Sequence, residues 1–362
     1  MAIPEFRGHQ SVRTDLLRAY AAGRLPQVLL VTGEPGVGKQ RFGLWLAQLV
    51  LCSDRSAPPC GRCRACRLVA ELSHPDLHWF VPVPRPKAGE ADRQIEEVRD
   101  ALTEVLAARR ENPGYLPPDG MALHGIASAR LVLRTAALTT VEGGRRVILI
   151  GDADRLVAQE SSPEAANALL KFLEEPSASA LIILTTTDAT RVLPTIRSRA
   201  VPIRLGRLSA EEVAAALKDL VPSLSDDERQ ARAAAAEGSV GRALDPKGHE
   251  GKRLEANQLL AAVSQGPARF EPVIRQTPWQ ARGDFTSLLE ALAQTLRDGV
   301  RSLTVAGPSV TVPDALKSVR DPRRLLVALG HVETARDLAR GNVNPQLLLA
   351  TLTGQLAEAL WV

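Results

Sequence analysis

Two clusters of residues in this chain have the types and spacing for chemistry. The first lies in Val28 to Arg41, VLLVTGEPGVGKQR, where Gly33, Gly36, Gly38 and Lys39 form the pattern Gly33-x4-Gly38-Lys39. That spacing makes a phosphate-binding loop. Its backbone N–H groups and the positive end of the following helix cradle a phosphate, and Lys39 bridges outer phosphate oxygens. Glycine is needed because only it lets the backbone turn so tightly and lie so close to a ligand. A strand-like VLLV precedes the loop and a helix-like RFGLWLAQLVL follows it. Where the pattern asks for Ser or Thr to hold Mg²⁺, the chain has Gln40, whose neutral amide is a poor ligand for a hard cation. Loop geometry and ATP/Mg binding are therefore separate expectations, and the residues support the first better than the second.

The second cluster is Cys52, Cys60, Cys63 and Cys66, which are all 4 cysteines of the chain. Their spacing, C-x7-C-x2-C-x2-C, brings four thiolates within reach of one ion, and Zn²⁺ prefers a closed tetrahedron of soft ligands. A disulfide framework would scatter them along the chain. Pro58, Pro59 and Gly61 supply the tight turns of such a knuckle. A structural zinc module over 52–66 is the expectation; four free thiols, or a redox or iron–sulfur site, are the alternatives. His74 and His78 lie near enough to replace one thiolate, but loop histidines at ordinary frequency explain them better. Arg62, Arg64 and Arg67 leave direct DNA contact by the module open.

A third feature is the acidic end of RRVILIGDADRL (145–156). In nucleoside triphosphatases of this build such a strand ends in an Asp for Mg²⁺ and then a Glu that orients water. Aligned on Val147–Ile150, those positions hold Gly151 and Asp152, a degenerate acidic end. A register shift of one would let Asp152 take the metal.

The elements that must position these residues are legible in outline. The chain has 362 residues, 45% hydrophobic and 24% charged, which suits a soluble globular protein of more than one domain. Aromatics are only 3%, so the core must rest on Leu, Val, Ala and Ile. A net charge of +4 is compatible with a nucleic-acid partner without arguing for one. The N-terminus has no apolar signal segment and no run approaches the roughly 18 apolar residues of a membrane span. A cytoplasmic protein with no membrane partner is expected.

In order, VRTDLLRAYAAG reads as a helix stopped by Gly23 and Pro26, and LHWFV as a strand running into a Pro-rich loop. The stretch 82–125 carries a charged helix, DRQIEEVRDALTEVLAARR, between breaker-rich segments and reads as a surface insertion of unassigned role. SARLVLRTAALTTVEGG (128–144) reads as a helix with a Gly-Gly stop. Ser162 as N-cap and Pro163 at the first position open EAANALLKFLEE, which Pro176 closes. ALIILTTTD (180–188) and the end of TIRSRAVPIRL (195–205) read as strands. Strands apolar on both faces, alternating with helices, imply a parallel sheet covered on both sides. After Gly206, Ser209 with Glu212 and Ser225 with Glu228 form capping boxes of two small helices, and GSVGRAL (238–244) starts a third. DPKGHEGK (245–252) reads as a polar linker, and 253–362 as helical with breaks near 265–267, 307–308 and 342–345.

The series of phosphate loop, four-cysteine module, acidic-ended strand, SSPEAANALLKFLEEPS, LIILTTTD, LPTIRSRA, GSVGRAL and a helical tail with NPQLLLATL resembles the subunits of the bacterial DNA polymerase III clamp loader, within the AAA+ superfamily. ANALLKFLEEP beside TIRSR carries most of the specificity, and 82–125 lies outside the match. The resemblance implies an α/β AAA+ P-loop domain over 1–206, with the zinc module at 52–66 and the insertion at 82–125. A small helical lid over 207–247 and an all-α collar for oligomerisation over 253–362 would follow.

Two kinds of subunit share the pattern: the gamma/tau motor, which hydrolyses ATP, and the delta prime stator, which typically does not but presents an arginine to its neighbour. A motor would have Thr or Ser at position 40 and Asp-Glu at 151–152. Gln40 and Gly151 together favour the stator, and so does the lack of a long Pro-rich extension before residue 362. Ser198-Arg199-Ala200 then matches the family's Ser-Arg-Cys motif, with Ala for Cys, and makes Arg199 an arginine finger acting in trans. Thr187 and Arg242 fall at the first and second sensor positions, where a structural hydrogen bond or a solvated side chain would serve as well. Lys39 either still binds nucleotide or belongs to a loop kept for packing. Any interface role for Lys171 or Glu174 would be additional to the packing of their helix. The implied partners are gamma/tau and delta subunits, the sliding clamp and, through the complex, primed DNA. The chain alone would catalyse nothing; an active ATPase of the gamma/tau kind is the alternative.

Overall fold

A computed structural model of the chain describes residues 3–87, 89–112, 122–142, 144–156, 164–265, 282–304, 312–339 and 343–361. The expected N-cap and Pro at 162–163, Gly143 of the Gly-Gly stop, the second breaker-rich stretch near 113–121 and the helix breaks at 266–267, 307–308 and 342 lie outside the described residues.

Five parallel strands form one sheet: β1 (Val28–Gly33), β2 (Leu77–Phe80), β3 (Arg146–Ile150), β4 (Ala180–Thr186) and β5 (Val201–Leu205), in the order β2-β3-β4-β1-β5. Every residue of β3 and β4 is buried, as strands covered on both faces require. Pro202, which has no N–H to donate, sits in the edge strand β5. Around the sheet lie α1 (Gln10–Ala21), α2 (Lys39–Leu51), α3 (Arg64–Ala70), α4 (Ala91–Glu111), α5 (Ile126–Ala137), α6 (Glu164–Glu174) and the short α7 (Pro194–Arg197). The helix α2 drives Phe42, Leu46 and Leu49 wholly into the core, and its Gly43 lets it approach Leu149 of β3, where a Cβ would meet Leu149 Cδ1 at 2.6 Å. That close approach fixes the loop between β1 and α2 against the end of β3.

Three local expectations are corrected. The stretch 82–125 is not a surface insertion as far as it is described: α4 buries Ile95, Val98 and Leu102 in the sheet's own core and packs on α5. Val83 pairs antiparallel with Leu123, joining the two ends of the segment. Apart from the buried Arg109, most of the charged residues of α4 lie toward its outer face, and three apolar positions at helical spacing carry the inner one. The helix α5 ends at Ala137, before the glycines, because the Arg146 guanidinium donates to the carbonyls of Ala136, Leu138 and Thr139 and so takes up its last acceptors. The stretch 245–252 is no linker either: Asp245 caps the amide of Gly248 at 3.0 Å and Pro246 occupies the first position of a helix.

Beyond β5, α8 (Ala210–Leu220), α9 (Asp226–Ala235) and α10 (Val240–Leu244) surround a small core of Leu208, Val213, Leu217, Ala233 and Ala243. Both capping boxes form, through Ser209 with Glu212 and Ser225 with Glu228. These helices belong to the same compact unit as the sheet, which extends to Leu244. A second unit starts at Asp245 and contains α11 (Pro246–Ser264), α12 (Arg282–Thr304), α13 (Pro322–Ala339) and α14 (Pro345–Trp361). Its separate core joins Leu260, Phe285, Leu292, Leu296, Val332, Leu352 and Leu356. Among the described residues, no helix is long and apolar enough to cross a membrane.

Candidate functional site

The glycine loop leaves the end of β1 in the expected form. Gly36 and Gly38 have φ of +77° and +93°, a region that side-chain-bearing residues rarely enter. Gly33 lies against β5, where a Cβ would stand 2.7 Å from the Leu205 carbonyl. Gly38 is the N-cap of α2 and offers no side chain, so the first N–H groups of α2 open onto the loop. Lys39 is the first residue of α2 and is 7% exposed. Its Nζ donates to the carbonyls of Gly33 (3.0 Å) and Glu34 (2.8 Å), so the ammonium is held by its own loop.

Gln40 points to the end of β3, and there the departures from a hydrolysing site fit together. Its Nε2 donates to Asp152 Oδ2 at 3.1 Å, and its Oε1 accepts from Arg109 Nη1 at 2.7 Å. Gly151 makes room for this: a Cβ at that position would stand 2.8 Å from the Gln40 amide carbon. Asp152 adopts φ of +52° and donates its N–H to Thr185 Oγ1 at 3.2 Å. Arg109, 8% exposed, lies over the Trp79 ring at 4.5 Å. Where a hydrolysing enzyme gathers a hydroxyl and a carboxylate around a cation, this chain joins a carboxylate, an amide and a guanidinium by hydrogen bonds. His124 completes the support, donating from Nε2 to the Gly151 carbonyl at 2.7 Å. Burial lowers its pKa and keeps the ring neutral.

The helices after β5 pack on the other side of the loop. Gly241 N donates to the Gly36 carbonyl and Ser239 Oγ to the Pro35 carbonyl, both at 3.0 Å. A Cβ on Gly36 would stand 2.2 Å from Ser239 Oγ. A chain of charges runs alongside. Arg207 Nε donates to both carboxylate oxygens of Glu34 at 3.0 Å, and Arg207 and Arg242 meet Glu237 at 3.4 and 3.2 Å. Arg242 therefore reaches the neighbourhood of the loop through Glu237. From the N-terminal side, His9 donates to the Val37 carbonyl at 3.0 Å and stacks on Phe6.

Thr187 stands exposed past the end of β4. The buried threonines before it make the contacts: Thr185 with Asp152, and Thr186, whose Oγ1 donates to Asp154 Oδ1 at 2.8 Å. Arg199 is not part of the loop's hydrogen-bond network. It follows α7, with Nε donating to Glu174 Oε1 at 2.9 Å and Nη1 to the Thr195 carbonyl at 2.6 Å. Sequence reasoning missed Arg109, Thr185, Thr186 and Asp154. The register of β4 against β3 picks out both threonines, but nothing in AARRE marks the first of its arginines as buried.

The four thiols converge. The sulfurs of Cys52, Cys60, Cys63 and Cys66 all lie within 4.8 Å of one another. Cys52 Sγ is 3.6 Å from Cys60 Sγ and 3.9 Å from Cys63 Sγ. A tetrahedron with metal–sulfur bonds of ~2.3 Å has edges of ~3.8 Å, so these separations suit one ion. The backbone N–H of Cys63 donates to Cys60 Sγ and that of Cys66 to Cys63 Sγ, each at 3.4 Å. Burial pushes the Cys63 thiol up, yet hydrogen bonds from Ser53 and Cys66 bring it down to about 5; burial raises Cys52 and Cys66. His74 stands apart from the sulfurs, its Nδ1 accepting from the Asp76 N–H at 3.1 Å. Arg64 pairs with Glu142 at 2.6 Å.

The family described as "DNA polymerase III, delta subunit" matches residues 8–209. DNA polymerase III subunit delta' of Pseudomonas aeruginosa is 34% identical over 195 residues, 52% of this chain and 47% of that protein. Subunit delta' of Escherichia coli is 28% identical over 364 aligned positions, 93% of this chain and 90% of that protein. Subunit tau of Escherichia coli is 29% identical over 242 positions, 66% of this chain and 31% of that protein. The chain thus spans about half the length of the first of these relatives and nearly all of the second.

Proposed function

Because the chain belongs to the family of DNA polymerase III delta subunits, we propose that it works as a delta-prime-type subunit of the clamp loader, an AAA+ stator that assists ATP hydrolysis in a neighbouring subunit without performing it. One observation carries this reading: the Gln40 amide sits between Asp152 and Arg109, hydrogen-bonded to both. A nucleotide hydrolysed in cis needs a divalent ion bridging its outer phosphates. Here Asp152, the acid at the end of β3 that faces Gln40, is already hydrogen-bonded to it, and the Arg109 guanidinium supplies local positive charge.

Arg199 would act in trans. A guanidinium inserted into the adjacent subunit's site neutralises charge on the transferring phosphoryl group, an effect of about 10³–10⁵ in rate for arginine fingers generally. The helices α11 to α14 would form the collar that joins gamma/tau and delta subunits into a ring. That ring would use ATP to open the sliding clamp and place it on primed DNA. The four cysteines would hold a structural Zn²⁺, which needs no open coordination position and stabilises the fold rather than doing chemistry.

The test is titration of the isolated chain with ATP, with and without Mg²⁺, alongside a hydrolysis assay. The expected outcome is no turnover above that of buffer and no gain in affinity from magnesium. Magnesium-dependent turnover that Lys39→Ala abolishes would instead establish the gamma/tau reading. That second reading draws on the intact glycine loop and on the likeness to subunit tau.

A further inference from the structure

Arg199 already has a partner in its own chain. Its Nε and Nη2 both donate to Glu174 Oε1, while Nη1 donates to the Thr195 carbonyl at 2.6 Å and to Ser198 Oγ at 3.2 Å. A guanidinium has five N–H donors, and these bonds use all but one of them. Gripping a phosphoryl group in the two-pronged manner of arginine takes two donors. Arg199 cannot do so without giving up a bond to its own chain.

Which bond yields follows from the surroundings. Thr195 and Ser198 belong to the same turn as Arg199 and move with it. Glu174 is on another helix, at the last position of α6, and its side chain is 45% exposed against 30% for Arg199. An ion pair this open to solvent is weak and salt-sensitive. The backbones beneath it are fixed: Leu173 and Ile196, beside the two ends of the pair, are 2% and 0% exposed, and α6 packs on α7. Releasing Arg199 therefore needs only side-chain rotation.

We propose that Glu174 is a positioning residue that parks Arg199 in the free subunit and surrenders it to the triphosphate of an adjacent ATPase subunit, a carboxylate-for-phosphoryl exchange. The inference rests on the finger role of Arg199 given above. Its consequence is specific. If bound ATP draws the arginine away, the parked fraction weakens apparent ATP affinity next door, as any incompetent population does. Once the finger is engaged, Glu174 has no further effect on turnover.

The experiment uses the full chain assembled with an ATPase subunit of the complex and measures steady-state MgATP hydrolysis. Glu174→Gln keeps the size of the side chain and removes its charge; it is expected to lower KM by about two- to fivefold with kcat unchanged, the range of an exposed ion pair. The gap between variant and wild type should close as salt rises. Glu174→Lys should shift KM in the same direction and further. An unchanged or raised KM, or a gap indifferent to salt, overturns the exchange. So does a fall in the Tm of the Glu174→Gln chain accompanied by loss of activity. Arg199→Ala separates the two layers. If it abolishes stimulation while Glu174→Gln changes nothing, the finger stands and the parking contact is wrong. If Arg199→Ala itself changes nothing, both fail.

Discussion

Gln40 and Gly151 each depart from a nucleotide-hydrolysing site, yet in space they are one feature. The amide of Gln40 occupies the volume that a side chain at 151 would need, since a Cβ there would lie 2.8 Å from it. A single reversion is therefore expected to be harmful. Gly151→Asp alone should destabilise the chain by about 1–3 kcal/mol, the usual cost of forcing extra atoms into a filled space. It also places a second carboxylate beside Asp152. Gln40→Thr alone should cost less, because it leaves Asp152 and Arg109 without their bridge but creates no clash. The double variant should recover part of the Gly151→Asp loss, because the shorter threonine vacates the contested volume. Urea unfolding of the four proteins gives the coupling energy directly. Strict additivity would mean that the two positions do not share the space ascribed to them.

At the scale of elements, α4 shows what composition hides. Nearly half of its sequence is charged, but Ile95, Val98 and Leu102 recur at the spacing of one helical face, and all three are buried. Ile95→Ala should therefore cost about 2–5 kcal/mol, as truncation of a fully buried aliphatic does. A peripheral segment would lose almost nothing, so a denaturation curve decides the matter. The four-cysteine module makes the opposite case. Its fold was legible from spacing alone, because two Cys-x2-Cys steps with turn residues leave the backbone few ways to gather four sulfurs. Cys63→Ser should release about one equivalent of metal and lower the Tm, and metal analysis of the purified wild type should find that equivalent. Chain-local signals were the readable ones: the glycine loop, the capping boxes and the doubly buried strands. Less was readable where distant residues meet. Arg146 ending α5, Arg109 reaching Gln40, and Ser239 touching Pro35 are contacts across the chain, and no periodicity or spacing encodes them. The polar run 245–252 misled for a different reason: the surface turns of a helix and a linker have the same composition, and only Asp245 followed by Pro246 marked the start.

At the scale of the whole molecule, the proposed function would give the loop after β1 and Arg199 opposite fates in an assembly. The loop is satisfied from within. Lys39 bonds the carbonyls of Gly33 and Glu34, the Gly241 backbone bonds Gly36, and Glu34 is tied through Arg207 to Glu237. A residue already spent on its own loop contributes nothing to a reaction in the next subunit. In the assembled complex, Lys39→Ala in this chain should leave steady-state ATPase and clamp-loading rates within about twofold of wild type, a barrier change of no more than ~0.4 kcal/mol. Some loss of stability should accompany it, because the part-buried carbonyls of Gly33 and Glu34 lose the Lys39 ammonium as a donor. Removing the corresponding lysine of a motor subunit should abolish that subunit's turnover. Measuring ATPase, loading and Tm on the same preparations separates the outcomes. A Lys39→Ala complex that melts lower but loads clamps normally fits a loop kept for architecture. If loading collapses while the chain stays folded, the loop is binding a nucleotide that the ring requires, and the division of labour proposed for this subunit is wrong.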